Sequence, residues 1–158
     1  MRPGPGVDEG VSRREADRRF MALARHIGAS SKDRSTQVGC VIVSADGSVL
    51  STGYNGFPRG VDETVETRHQ RPEKYLWTEH AERNAIYNAA REGIRLKGGT
   101  LYLSWFPCTD CARALVQVGI ETLVALRPDL NHATWGEHFR VATALLEEGG
   151  VRVIWHEE

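Results

Sequence analysis

The sequence holds only three cysteines, too few and odd in number for an even disulfide framework. Nothing in it suggests secretion either, so a reducing cytoplasm is the expected setting. It lacks any apolar run near the ~18 residues that a membrane-spanning helix needs, so no membrane partner is expected. The first ten residues, MRPGPGVDEG, carry charge, proline and glycine but no apolar stretch. They do not read as a signal peptide, and residues 1–10 are expected to form a flexible N-terminal tail. A surplus of positive charge is also missing: 20 Lys and Arg stand against 21 Asp and Glu, a net charge of −1. That argues against nucleic acid as a general partner, because phosphate contacts dominate such affinity. Repeats, low-complexity tracts and linkers are absent, so residues 11–158 are expected to fold as one domain around one core.

What is present alternates between helix and strand signals. From Val11 to Gly28, Phe20, Leu23, Ala24 and Ile27 recur at helical spacing, and Gly28 supplies a stop. VGCVIVS and SVLSTGY are short β-branched runs joined by ADG, which predicts a hairpin. Residues 53–77 form a long irregular stretch, of the kind that is usually functional or mobile. TEHAERNAIYNAAREG reads as a helix with Thr78 as its cap and Gly93 as its stop. TLYLSW, ETLVAL and VRVIW then read as strands, separated by the helices CTDCARALVQVG and GEHFRVATALLEEGG. Helical crossovers favour parallel strands, and an antiparallel hairpin precedes them. The expected fold is therefore α/β, a sandwich with helices on both faces of a mixed sheet.

The stretch PCTDC at 107–111 sets two cysteines three apart. Such a pair can be a redox dithiol, half of a structural zinc site, part of a catalytic metal site, or mere packing. A four-thiolate zinc site needs four cysteines, and the third here, Cys40, lies inside a strand and reads as a small buried hydrophobe. HAE at 80–82, at the start of a helix, offers an imidazole. Two thiolates and one imidazole leave one position of a tetrahedral zinc open, which is the pattern of catalytic sites, where water becomes available as hydroxide near pH ~7. Glu82 would be the carboxylate that moves the proton. Residues two apart do not share a helix face, so spacing alone does not make His80 and Glu82 converge.

The order His80-Ala81-Glu82, then Pro107-Cys108-Thr109-Asp110-Cys111, matches the H-x-E and P-C-x-x-C signature of zinc-dependent nucleobase deaminases. With SKDRSTQVGCVIV, GYNGFPRG, HAERNAI and FPCTDCARALVQVGI, the chain from about residue 20 onward resembles the cytidine/deoxycytidylate deaminase superfamily, and most of all its deoxycytidylate deaminase branch. The resemblance implies a three-layer α/β/α sandwich around a five-stranded mixed sheet, a homo-oligomer such as a hexamer, and hydrolysis of dCMP to dUMP and ammonia. It implies one Zn2+ per chain held by His80, Cys108 and Cys111, with Glu82 as catalytic proton shuttle. Asn55 matches a residue that hydrogen-bonds the sugar, and the Ala81 backbone one that meets the pyrimidine carbonyl. Lys32, Arg34, Arg59 and Arg91 are the cationic candidates for a phosphate, with Arg34 and Arg91 put first. Control by dCTP and dTTP follows from the same resemblance. The charged residues Glu79 and Arg83, the stretch RPDLNHATWGEHF and the insert VDETVETRHQRPEKYLW depart from the branch's pattern.

Ordinary roles also account for several residues. His69, His132 and His138 read as loop or surface histidines rather than ligands, and Tyr-Asn-Gly at 54–56 is a turn signal in its own right. Trp105 and Phe106 fit core or pocket wall equally, and Tyr75 and Trp77 could line a pocket or anchor the insert. Other functions stay open: deamination of cytidine, a modified dCMP, a free base or a purine; deamination of a polynucleotide such as tRNA; or a non-catalytic zinc-stabilised module.

Overall fold

The computed structural model describes residues 9–157, with side chains from Arg13 onward. Of the tail expected at 1–10, residues 1–8 lie outside the described residues. Residues 9 and 10 already belong to helix α1 (Glu9–Gly28), which starts two residues before the expected boundary. There follow β1 (Gly39–Val43), β2 (Val49–Tyr54), a 3-10 turn (Glu66–His69), the single turn α2 (Lys74–Trp77), α3 (Ala81–Glu92) and β3 (Thr100–Leu103). The chain closes with α4 (Thr109–Val118), β4 (Thr122–Ala125), α5 (Gly136–Glu148) and β5 (Arg152–Trp155).

The five strands form one sheet in the order β2-β1-β3-β4-β5. β1 pairs antiparallel with both β2 and β3, whereas β3, β4 and β5 run parallel. The mixed sheet thus follows the connections: a tight turn with Gly47 at φ +90° joins β1 to β2, while α4 and α5 carry the crossovers. β1 is buried at every position because both faces of the sheet are covered. Val41, Val43, Tyr102 and Val124 face α1, meeting Met21 and Ala24. The alternate residues Cys40, Ile42, Leu101, Leu103, Leu123 and Ala125 face the other way, into a core completed by α3, α4 and α5. The result is the expected α/β/α sandwich, with one helix on one face and three on the other.

Two glycines set how closely helices approach the sheet. A Cβ at Gly39 would stand 1.7 Å from the Ala24 carbonyl oxygen of α1. One at Gly53 would stand 2.4 Å from both the Ala81 oxygen and the Ala85 nitrogen of α3. Only a hydrogen fits at 53, and α3 packs down on β2 with its alanines Ala81, Ala85 and Ala89 buried. Gly53→Ala must therefore push α3, and with it His80, off the sheet. We expect a loss of about 3 kcal/mol in urea unfolding, at the upper end for overpacking, together with weakened metal binding.

Thr78 does not cap α3. Residues 78 and 79 stay extended, with Gly56 and Glu79 forming an isolated antiparallel bridge, and His80 becomes the N-cap (φ −86°, ψ 154°). Gly93 ends the helix in the left-handed conformation (φ +68°), as its position predicts. The stretch at 53–77 is not wholly irregular, since it contains the 3-10 turn and α2. Asn84 and Asn88, one helical turn apart on α3, donate to the Tyr54 and Thr52 carbonyls at 2.8 Å each and so occupy carbonyls of the edge strand β2.

Candidate metal centre and substrate cleft

The carboxyl ends of β3 and β4, the exit of β2 and the entry to β1 gather at one end of the sheet, where crevices form in open α/β folds. Two helices begin there. His80 is the N-cap of α3 and Cys108 the N-cap of α4, and neither uses its side chain to cap its helix. Extended backbone at both positions turns those side chains out of the helical path, so His80 and Glu82 reach one cleft despite their spacing. Cys111 follows in the first turn of α4.

His80 Nδ1 lies 3.3 Å from Cys108 Sγ and 3.5 Å from Cys111 Sγ. Ligands at about 2.0–2.3 Å from a tetrahedral zinc stand roughly that far apart, and the donor set is the N/S set zinc prefers. The three ligand atoms lie within 4.8 Å of one another and form the one His/Cys/carboxylate group of this kind among the described residues. The trio fits a single zinc ion. A hydrogen bond from Cys111 holds the Cys108 thiol down to about 4 against the opposing effect of burial, with His80 adding to the depression, while Cys111 itself is pushed well up. The helix N-termini add unpaired N–H groups and a positive dipole end beside both sulfurs.

Glu82 is buried at 4% exposure and lines the same cleft. Burial raises its carboxyl above the ordinary range, although the positive His80 pulls the other way. Glu79 and Arg83, which depart from the expected pattern, have a structural use. Arg83 bonds Glu79 at 2.7 Å and reaches Asp110 at 3.6 Å, so one guanidinium ties the start of α3 to the start of α4.

The cleft has a cavity of about 90 Å³. Ala81, Glu82, His80 and Cys108 form its floor, and Trp105, Phe106, Trp135 and Phe139 its aromatic walls. Trp135 meets the His80 ring edge-on at 5.8 Å and the Tyr75 ring at 5.8 Å. Asn55 lines the cleft at 8% exposure. Its side chain accepts from Val38 N and donates to Thr36 O, both at 2.9 Å, which fixes the amide and leaves one N–H for a ligand. Ala81 is the first residue of α3, where a helix has unpaired N–H groups.

The four cations suggested for a phosphate do not line this cleft. Arg34 is taken by Glu66, with Nη2 2.9 Å from Oε2, and Lys32 by Glu63. Arg59 donates to Asn88. Arg91 sits in the last turn of α3, about 16 Å along the helix from His80. The cations of the cleft are instead Arg71 and Lys74, from the insert. Lys74 Nζ pairs with Asp33 at 3.1 Å, and both side chains are nearly buried. Burial raises the Asp33 carboxyl, but the Thr36 and Ser35 N–H groups and Lys74 outweigh it and hold Asp33 below its usual range. A carboxylate depressed in the folded state adds stability above its unfolded pKa and loses it as pH falls through the folded value. Wild type should therefore lose more stability than Asp33→Asn between about pH 5 and pH 2, read by urea unfolding.

Among the described residues, the other histidines stay outside the trio. His138 shares a 2.9 Å hydrogen bond with Thr109, His132 accepts from the Thr134 and Trp135 N–H groups, and His69 stacks on Phe57 at 4.8 Å. Cys40 is fully buried in the sheet. Trp77 holds Arg68 over its ring at 3.9 Å and so anchors the insert. No helix among the described residues is long and apolar enough to cross a membrane.

Known proteins carry the same pattern. The family described as cytidine and deoxycytidylate deaminase zinc-binding region matches residues 14–127. An uncharacterized deaminase from the luxG 3′ region of Aliivibrio fischeri is 38% identical over 139 residues, covering 87% of this chain and 91% of that protein. The human deoxycytidylate deaminase is 36% identical over 110 residues, 66% of this chain and 61% of its own length. A probable deoxycytidylate deaminase of Caenorhabditis elegans is 41% identical over 111 residues, 68% of this chain. The chain thus spans between 55% and 61% of these two animal relatives. Among solved structures, the apo dCMP deaminase of cyanophage S-TIM5 superposes with a TM-score of 0.70 at 25% identity, covering 88% of this chain and 95% of that one. Fold, ligand trio and sequence agree: the chain belongs to the cytidine and deoxycytidylate deaminase zinc-binding family.

Proposed function

We propose that this chain is a zinc-dependent hydrolase that deaminates a cytosine nucleotide, dCMP first, giving dUMP and ammonia. The observation that carries this is a three-ligand metal site beside a buried carboxylate, at the floor of a small aromatic-walled cleft. His80, Cys108 and Cys111 hold the ion, and zinc there supplies a Lewis acid that makes water nucleophilic near neutral pH. Glu82 would take one proton from the water and pass it to N3 of the base, then take the second from the new C4 hydroxyl and pass it to the departing amine, so that the water oxygen remains as the C4 carbonyl and the amine leaves as ammonia. The Ala81 N–H meets the pyrimidine carbonyl, and the free N–H of Asn55 meets the sugar. The aromatic walls hold the base and keep out bulk water.

The deoxycytidylate deaminases among its relatives favour dCMP as the substrate. A polynucleotide substrate has less support, because a net charge of −1 provides no general docking field. One domain over 11–158, in the cytoplasm, carries the activity. Homo-oligomer formation and control by dCTP or dTTP extend the same reading, and light scattering and rate curves with added dCTP test them. The deciding experiment is ammonia release by zinc-loaded protein from dCMP, CMP, deoxycytidine, cytosine, dAMP and guanine. Preference for dCMP is expected. Silence on dCMP with turnover of another amine would keep the centre and overturn the substrate.

A further inference from the structure

The insert at 61–77 sets two cations and a tyrosine on the rim of the cleft, within five residues of the chain: Arg71, Lys74 and Tyr75. They are not equivalent. The Lys74 charge is consumed by Asp33 at 3.1 Å, in a pair whose side chains are 10% and 11% exposed. Arg71 donates through Nε to the Tyr75 hydroxyl at 2.8 Å. Among the described residues no carboxylate pairs with its guanidinium, and the two Nη groups stay available. The Tyr75 ring rests edge-on against Trp135, and Trp135 against His80, each at 5.8 Å. The guanidinium is therefore tied to the metal ligands through two packed rings.

From this geometry we infer that Arg71 is the specificity-determining cation of the cleft, and that it recognises a terminal phosphate monoester on the substrate. This rests on the nucleotide-deaminase reading above and names the residue that selects nucleotide over nucleoside. A guanidinium fixed at Nε presents its Nη edge as a planar fork, which matches two phosphate oxygens. Lys74 contributes indirectly, since by neutralising Asp33 it removes a carboxylate that would repel the anion. Tyr75 is a positioning residue that sets the plane of the fork.

The test compares wild type, Arg71→Ala, Arg71→Lys and Tyr75→Phe on dCMP and deoxycytidine. Arg71→Ala should lower the ratio of kcat/KM for dCMP to that for deoxycytidine by about 10- to 100-fold, with the loss in KM. Arg71→Lys should restore part of the ratio, because it keeps the charge and loses the fork. Tyr75→Phe should weaken dCMP use less than Arg71→Ala does. An unchanged ratio, or equal losses on both substrates, overturns the inference. A titration with inorganic phosphate, read by tryptophan fluorescence, requires no turnover. Phosphate binding that Arg71→Ala weakens about tenfold or more supports the inference even if wild type turns over neither substrate, and in that case only the substrate reading fails. Phosphate binding equal in both proteins overturns Arg71 alone.

Discussion

Replacing Glu82 by Gln should cut turnover by about 10²- to 10⁴-fold while zinc content stays at one ion per chain. Gln keeps the size of the side chain and can still hydrogen-bond, but it cannot take up a proton. The residue is 4% exposed and lines the cleft, and burial holds its carboxyl above the ordinary range. A group poised in that way can be ionised when water must lose a proton and protonated when the amine must leave. The same burial makes its charge costly to the fold. Glu82→Gln should therefore melt at the same temperature as wild type or higher, which separates lost chemistry from lost structure. Metal analysis by mass spectrometry and single-turnover assays with dCMP read both effects. Activity above a tenth of wild type would end the shuttle assignment, and loss of zinc with loss of activity would make Glu82 a metal ligand instead.

Much of this could be read from the chain because the deciding signals are local. The strands are short, mostly apolar runs, and the helices carry periodic apolar faces that end at glycines such as Gly93. The zinc ligands fall in two short motifs, each at a helix start. What stayed hidden depends on tertiary crossing. Thr78 looks like a helix cap, but the bridge between Gly56 and Glu79 keeps residues 78 and 79 extended, so His80 takes that place. Trp135 lies more than fifty residues from His80 in sequence and meets it only because the connection after β4 returns to the same end of the sheet. Lys32 and Arg34 flank a recognisable motif, yet each is captured by an acid of the insert, Glu63 and Glu66. Arg71 and Lys74 carried no motif at all. The available hint was that a charged, aromatic insert immediately precedes the ligand helix, and segments in that position crowd the mouth of the site.

Removing the zinc should abolish activity and leave a folded but weaker protein. The apolar core on both faces of the sheet is built from residues of α1, α3, α4, α5 and the strands, independent of the trio. The ion adds a crosslink on top, because His80 belongs to the start of α3 and both cysteines to the start of α4. A ligand that binds only the folded state at 1,000 times its Kd adds about 4 kcal/mol. For a domain of this size that corresponds to a fall of roughly 10 °C in Tm on chelation. Two thiolates and a neutral imidazole bind the metal, so its uptake releases protons and its affinity falls as pH falls. Cys111→Ser should give the chelated phenotype without chelator, with zinc content far below one per chain. Stoichiometric zinc should restore wild type and not the variant. Turnover that survives chelation, or a Tm that chelation leaves unmoved, would mean that His80, Cys108 and Cys111 meet for some purpose other than holding zinc. The surviving Arg83 link between the two helix starts makes the opposite outcome specific, because without the ion that guanidinium still bridges Glu79 and Asp110. The helices then stay near one another, and what disappears is the chemistry.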